Sequence, residues 1–177
     1  MNETSTVDES VKKKGELMSW LKTIIISIII VGILRIFVFE FVYVERFSMH
    51  PTISDSDKLC VLKINYTFSS PKREDIAIVK ISEDKKYVKR VIGLPGETIE
   101  VKNNIVYIDD MPIEENYLPP HITYSDFEKI TIPEGKYFVM GDNRVSSIDS
   151  RDPDIGLISE ENFIGKVIFR LSPFTWF

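Results

Sequence analysis

The sequence has a single cysteine, Cys60. One thiol cannot close an intramolecular disulfide, so a disulfide scaffold is excluded and the redox compartment is not encoded in cysteine usage. Histidine is nearly as scarce. His50 and His121 stand far apart, and no Cys/His cluster has metal-ligand spacing, so no metal site of that type is expected. Alanine occurs once, at Ala77. Without alanine before that point there is no A-x-A site at which an N-terminal secretory signal would be removed. Positive charge is also short: 22 Lys and Arg against 27 Asp and Glu give a net charge of −5. No global basic field points to nucleic acid. Internal repeats and low-complexity tracts are missing as well.

What is present is apolar and aromatic, with 44% hydrophobic and 11% aromatic residues. That excludes a disordered chain. A length of 177 residues suits one ordinary domain with a short appendage.

The appendage is N-terminal. Residues 1–16 are polar and read as a disordered tail. Residues 17–39 carry an isoleucine-rich run interrupted by Lys22 and Arg35, both close to its ends. Its length matches the roughly 20 residues that cross a bilayer. Long basic side chains near the ends of a span snorkel to the headgroups, and Trp20 suits an interface. The run has no polar face, so it fits lipid better than a domain surface. Lys12, Lys13, Lys14 and Lys22 precede it, whereas Arg46 is the basic residue that follows. This bias predicts a retained anchor in the cell membrane with its N-terminus in the cytoplasm. Residues 40–177 are then extracytoplasmic.

Beyond the span, short runs rich in Val, Ile, Tyr and Phe predict strands at 58–64, 75–81, 86–94, 97–101, 105–108, 136–140 and 164–171. Asn103-Asn104 marks a hairpin, and Gly93-Leu94-Pro95-Gly96 and Pro133-Glu134-Gly135 mark turns. No long amphipathic helix pattern appears. The fold expected is mainly β: one transmembrane helix, then a sheet or partial-barrel domain. Residues 111–129, polar and carrying Pro119-Pro120, read as a small cap-like excursion.

Three blocks carry possible chemistry. Phe47-Ser48-Met49-His50-Pro51-Thr52 follows the span directly, so Ser48 should lie near the membrane surface. By itself a serine in such a segment is usually a turn residue. His50 shares its segment, but no orienting partner for a His base stands nearby. In Tyr87-Val88-Lys89-Arg90-Val91-Ile92, strand alternation sets Lys89 on one face with Tyr87 and Val91, while Val88 and Ile92 make the other apolar too. One of the two adjacent cations must therefore point inward. A lysine so desolvated can lose its proton near neutral pH and act as a general base toward a serine. Finally, 140–152 is dense in short polar and charged side chains. Its Asp142/Arg144 and Asp149/Arg151 spacings would suit a rigid, locally ion-paired loop.

Taken together, S-M-x-P-T, Y-V-K-R-V-I-G-L-P-G-E and G-D-N-R-x-x-S-x-D-S-R, in this order after one span, resemble the bacterial type I signal peptidases in their small, single-span Gram-positive form. The resemblance implies a serine endopeptidase with Ser48 as nucleophile and Lys89 as general base. It implies that Ser147 orients the lysine amine, and that Asp142, Asp149 and Arg151 support the site. The implied partners are secretory preproteins, cut after signal peptides with small side chains at the first and third positions before the cut, and membrane lipid. No metal, cofactor or nucleic acid is implied, and no oligomeric state is specified. Two positions depart from the family pattern. Arg46 stands where relatives carry glycine or serine, and Glu74 where they carry a turn glycine. A self-cleaving Ser/Lys repressor is disfavoured, because no Ala-Gly bond and no helix-turn-helix pattern exist. A catalytically silent, anchored β module is the rival of another class, and Arg46 is the feature that favours it.

Overall fold

The structure is a computed structural model that describes residues 3–177. It divides into two compact units, residues 1–38 and 39–177. The first is one helix, α1 (Glu3–Phe37). Within it Glu16–Arg35 is long and apolar enough to cross a membrane. Ile24, Ile25 and Ile26 are each more than half exposed. Three successive helical residues point about 100° apart, so no side of this stretch is buried by protein. The tail expected to be disordered continues the helix from Glu3, while Met1 and Asn2 lie outside the described residues. Extending a helix already nucleated is cheap, and the Lys and Glu of this segment are good helix formers.

The second unit contains β1 (Phe39–Tyr43), β2 (Lys58–Leu62), the four-residue α2 (Asn65–Phe68), β3 (Ile76–Ser82), β4 (Lys85–Gly93), β5 (Thr98–Lys102), β6 (Ile105–Ile108), β7 (Met111–Pro112), β8 (Phe127–Thr131), β9 (Lys136–Met140), β10 (Ile158–Ser159), β11 (Phe163–Leu171) and β12 (Phe174–Trp176). An eight-stranded sheet runs β1-β2-β11-β3-β4-β9-β10, with β12 paired to β11. The four-stranded sheet runs β7-β6-β5-β8. All the pairings are antiparallel.

All seven strands expected from the sequence are present, within a residue or two of their predicted ends. Asn103 and Asn104 take φ of 53° and 65° in the β5–β6 turn, as a two-residue hairpin requires. Asp109 and Asp110 repeat this at φ 50° and 65° between β6 and β7. The excursion at 111–129 is more than a loop. It supplies β7 and the start of β8, and so completes the second sheet.

The central strands are covered on both faces. In β3, Ile76 and Ile78 join one core cluster, and Ala77 and Val79 another. In β4, Val91 and Ile92 likewise enter separate clusters. This explains their near-continuous apolar runs, since strict alternation marks strands with one wet face. It also means that any charged residue in the middle of β4 is buried whichever way it points.

Candidate active site

β4 places two cations side by side. Lys89 lies opposite Ala77 on β3, and Arg90 opposite Ile76 on β3 and Met140 on β9. Alternation sends the two side chains to opposite faces, and both end up buried, at 2% and 6% exposure. Both therefore point inward. Their partners differ. Arg90 forks onto Asp142, with Nε to Oδ1 at 2.9 Å and Nη2 to Oδ2 at 2.6 Å, and donates a third bond to the Glu74 carbonyl at 3.0 Å. Lys89 has no carboxylate in contact among the described residues. Its amine donates to Ser147 Oγ at 2.9 Å and lies 5.4 Å from the centre of the Tyr87 ring.

A buried cation without a counter-ion is poorly solvated and favours its neutral form. Burial pushes the Lys89 amine down to about 8; Asp149 opposes this, while the charges of Arg151 and Arg46 add to it. The neighbouring Asp149 is 1% exposed. Its burial alone would raise the carboxyl, but the Arg151 guanidinium, the Gly141 amide and the Ser147 hydroxyl hold it below the usual carboxylate range. Arg151 grips it through Nε at 2.8 Å and Nη2 at 2.9 Å, and Gly141 N–H donates at 2.9 Å. Ser147 thus links amine to carboxylate. Its hydroxyl gives its proton to Asp149 and offers a lone pair to Lys89, which fixes the direction of the amine.

Ser48 sits in the turn between β1 and β2. Met49 and Ile53, at 1% and 0% exposure, bury on either side of the turn and anchor it. Each contributes on the order of 1.5–3 kcal/mol on burial. The Ser48 carbonyl accepts from Asn143 N–H at 3.0 Å, the Phe47 carbonyl from Asn143 Nδ2 at 3.1 Å, and Thr52 Oγ1 donates to Asp142 Oδ2 at 2.6 Å. Asp142 therefore ties the serine turn, through Thr52, to the lysine strand, through Arg90. Gly141 is needed where these segments cross: a Cβ there would overlap Ser147 Oγ and the Ser48 carbonyl oxygen.

Ser48 and Lys89 line one cavity of about 210 Å³ together with Arg46, Phe47, Tyr87, Ser146 and Ile148. Ser48, Arg46 and Tyr87 also line a second cavity of about 150 Å³. His50 is exposed and lines neither. Among the described residues no group of three or more His, Cys, Asp or Glu could hold a metal ion. A lysine amine of depressed pKa and a serine hydroxyl thus line the same cavity, and proton abstraction from a weak nucleophile needs groups of these two kinds.

The family model of signal peptidases, peptidase S26, matches residues 17–172. The chain belongs to this family. Signal peptidase I of Bacillus licheniformis is 40% identical over 179 residues, covering 96% of this chain and 96% of that protein. Signal peptidase I T of Bacillus subtilis (strain 168) is 39% identical over 182 residues, covering 97% and 93%. A solved signal peptidase I from Enterococcus faecalis V583 is 31% identical, with a TM-score of 0.46, and covers 55% of this chain and 97% of that one. The chain is thus a signal-peptidase-type hydrolase.

In this peptidase the six residues singled out from sequence, Ser48, Lys89, Asp142, Ser147, Asp149 and Arg151, converge on one region. One local pairing does not form. Asp142 is bound by Arg90 rather than by Arg144, which is buried and pairs with Glu115 instead, with Tyr124 OH accepting at 3.1 Å. The reason is topological: β4 and β9 are neighbours, so Arg90 arrives beside Asp142, and 144 turns toward the 111–129 segment. Arg90, Thr52, Arg144 and Glu115 were not foreseen in these roles. The one available signal was Arg90: a second cation in a strand with two apolar faces demands a carboxylate from elsewhere in the chain.

Proposed function

We propose that this chain is a membrane-anchored serine endopeptidase that removes signal peptides from exported preproteins, with Ser48 as nucleophile and Lys89 as general base. The observation that carries this reading is the Lys89 amine: buried, without a carboxylate partner among the described residues, and in the same cavity as Ser48. Residues 17–39 act as the span and 1–16 as the cytoplasmic tail. Residues 40–177 form the extracytoplasmic catalytic domain, with 111–129 as a small cap. Membrane lipid and the preprotein are the partners.

β4 offers an edge for the substrate. β9 pairs with it only from Arg90 onward, whereas Lys85–Arg90 pairs with β3 on the other side. An extended peptide can add there as a strand, and alternate side chains would enter the two small cavities beside Ser48. That arrangement suits small side chains at the first and third positions before the cut. Lys89 takes the Ser48 proton as the hydroxyl oxygen attacks the scissile carbonyl. The Ser48 N–H, which donates to no group among the described residues, faces the oxyanion. Collapse of the tetrahedral intermediate breaks the C–N bond, and Lys89 returns the proton to the leaving amine. Water, deprotonated by Lys89, then hydrolyses the acyl-enzyme. Ser147 aims the amine. Asp149, Arg151 and Asp142 hold Ser147 and the two loops in place.

The test is cleavage of a signal-peptide substrate by the full chain and by Ser48→Ala and Lys89→Ala. Both variants should lose all cleavage above background. Activity persisting in either one refutes the mechanism.

A further inference from the structure

The second unit contains six arginines. Arg73, Arg90, Arg144, Arg151 and Arg170 each hold a carboxylate. Arg46 alone makes no ion pair among the described residues. It is exposed, and its guanidinium lies 5.7 Å from the centre of the Tyr87 ring. Cation–π contact with an aromatic that itself lines the cleft keeps the charge there rather than letting it swing into solvent. Arg46 lines both cavities beside Ser48. The larger of the two, shared with Lys89, is lined by no carboxylate. In the reactive state Lys89 is neutral, which leaves Arg46 as the sole charge on that wall. The smaller cavity also has one acid and one base, Glu45 and Lys86, on its wall, so Arg46 sets the sign of its formal charge.

An unpaired guanidinium facing a cleft that receives an extended peptide is a carboxylate receptor waiting for its ligand. Arginine offers a planar fork of donors that matches a carboxylate. We propose that Arg46 makes this cleft selective for preproteins that carry an aspartate or glutamate within a few residues of the scissile bond. The inference rests on the reading of Ser48 and Lys89 given above and adds a substrate class to it. It also gives the departure at this position, where a glycine or serine would leave the wall uncharged, a function instead of a defect.

The experiment uses the full chain in a neutral detergent and a set of signal-peptide substrates. In each, one position from the third before to the third after the scissile bond is Asp or, in its twin, Asn. The readout is the Asp/Asn ratio of kcat/KM, which does not depend on how much of a variant is active. At one or more positions the wild type should favour Asp by about five-fold, the upper range for a partly exposed ion pair. The preference should vanish in Arg46→Gln, persist in Arg46→Lys, and shrink as salt is raised. A ratio near one at every position in the wild type, or a preference unchanged in Arg46→Gln, overturns the proposal. So does an Arg46→Gln variant that loses binding to anionic lipid vesicles while keeping its Asp/Asn ratio, because the cation would then serve the headgroups. If Arg46→Gln does not fold, the wild-type ratio, its salt dependence and Arg46→Lys still decide. Ser48→Ala separates the two readings: cleavage that survives it sinks the catalytic assignment, whereas Ser48-dependent cleavage blind to Asp against Asn sinks only the role of Arg46.

Discussion

Replacing Lys89 with methionine should abolish cleavage and yet make the β-rich unit more stable. The lysine is 2% exposed, and burial lowers its amine from the ordinary 10.5 to about 8. At about 1.4 kcal/mol for each tenfold, holding a protonated amine in this site costs about 3 kcal/mol at pH 7. Methionine fills a similar volume and needs no hydration. The Ser147 hydroxyl keeps Asp149 as its acceptor, so no polar group is orphaned. The sign follows from linkage. The folded-state pKa is depressed, so between pH 8 and 10.5 the unfolded chain binds a proton that the folded chain does not, and wild-type stability rises with pH across that window. Below pH 8 the penalty is fully present. Urea unfolding of the full chain in detergent should thus show Lys89→Met more stable by about 3 kcal/mol at pH 7, with the gap closing above pH 10. In the wild type the same ionisation should raise kcat/KM about ten-fold from pH 7 to 9, because about a tenth of the amine is neutral at pH 7 and half at pH 8. A variant no more stable than wild type at pH 7, or an activity profile still climbing steeply at pH 10, would refute the desolvated-amine argument.

Three further expectations are independent of that one. Glu74→Gly should stabilise the domain by about 1 kcal/mol, because Glu74 sits at φ 71°; the urea midpoint would show it, and no gain would mean that the left-handed backbone is not strained. Asp142→Asn leaves the Arg90 guanidinium buried without its counter-ion, which should cost roughly 3–5 kcal/mol; an unchanged melting temperature would exclude that pair as a support of the fold. Gly141→Ala drives a methyl into Ser147 and the Ser48 carbonyl, so kcat should fall about 100-fold, as displacements near 1 Å do. Steady-state kinetics on the signal-peptide substrate would check it, and wild-type kcat would show that the crossing tolerates a side chain.

Much of this protein is legible in its residue order alone. An apolar run without a polar face has no use for a protein neighbour, and α1 is indeed exposed all round from Ile24 to Ile26. Strand periodicity and turn chemistry are local properties, so the seven main strands and the Asn103-Asn104 hairpin could be read from residue order. β7, β10 and β12 hold too little periodicity to be read, at two or three residues each, while the five-residue β1 and β8 are masked by the end of the apolar run and by a polar stretch without alternation. Their pairing depends on neighbours supplied by other parts of the chain.

Alternation along β4 required that one of two cations be buried, and residue order could say no more than that. Which cation would be neutralised and which left bare was decided by the sheet. β9 delivers Asp142 to the Arg90 face and leaves Lys89 with a hydroxyl and an aromatic ring. The same packing sent Arg144 away from its near neighbour Asp142 to Glu115, and left Arg46 without a carboxylate among the described residues. Burial and ion pairing are sums over everything that surrounds a side chain, and most of those surroundings lie dozens of residues away in the chain. The residue types for the chemistry are therefore written in the sequence, but the pKa that would make the chemistry run exists only in the folded domain.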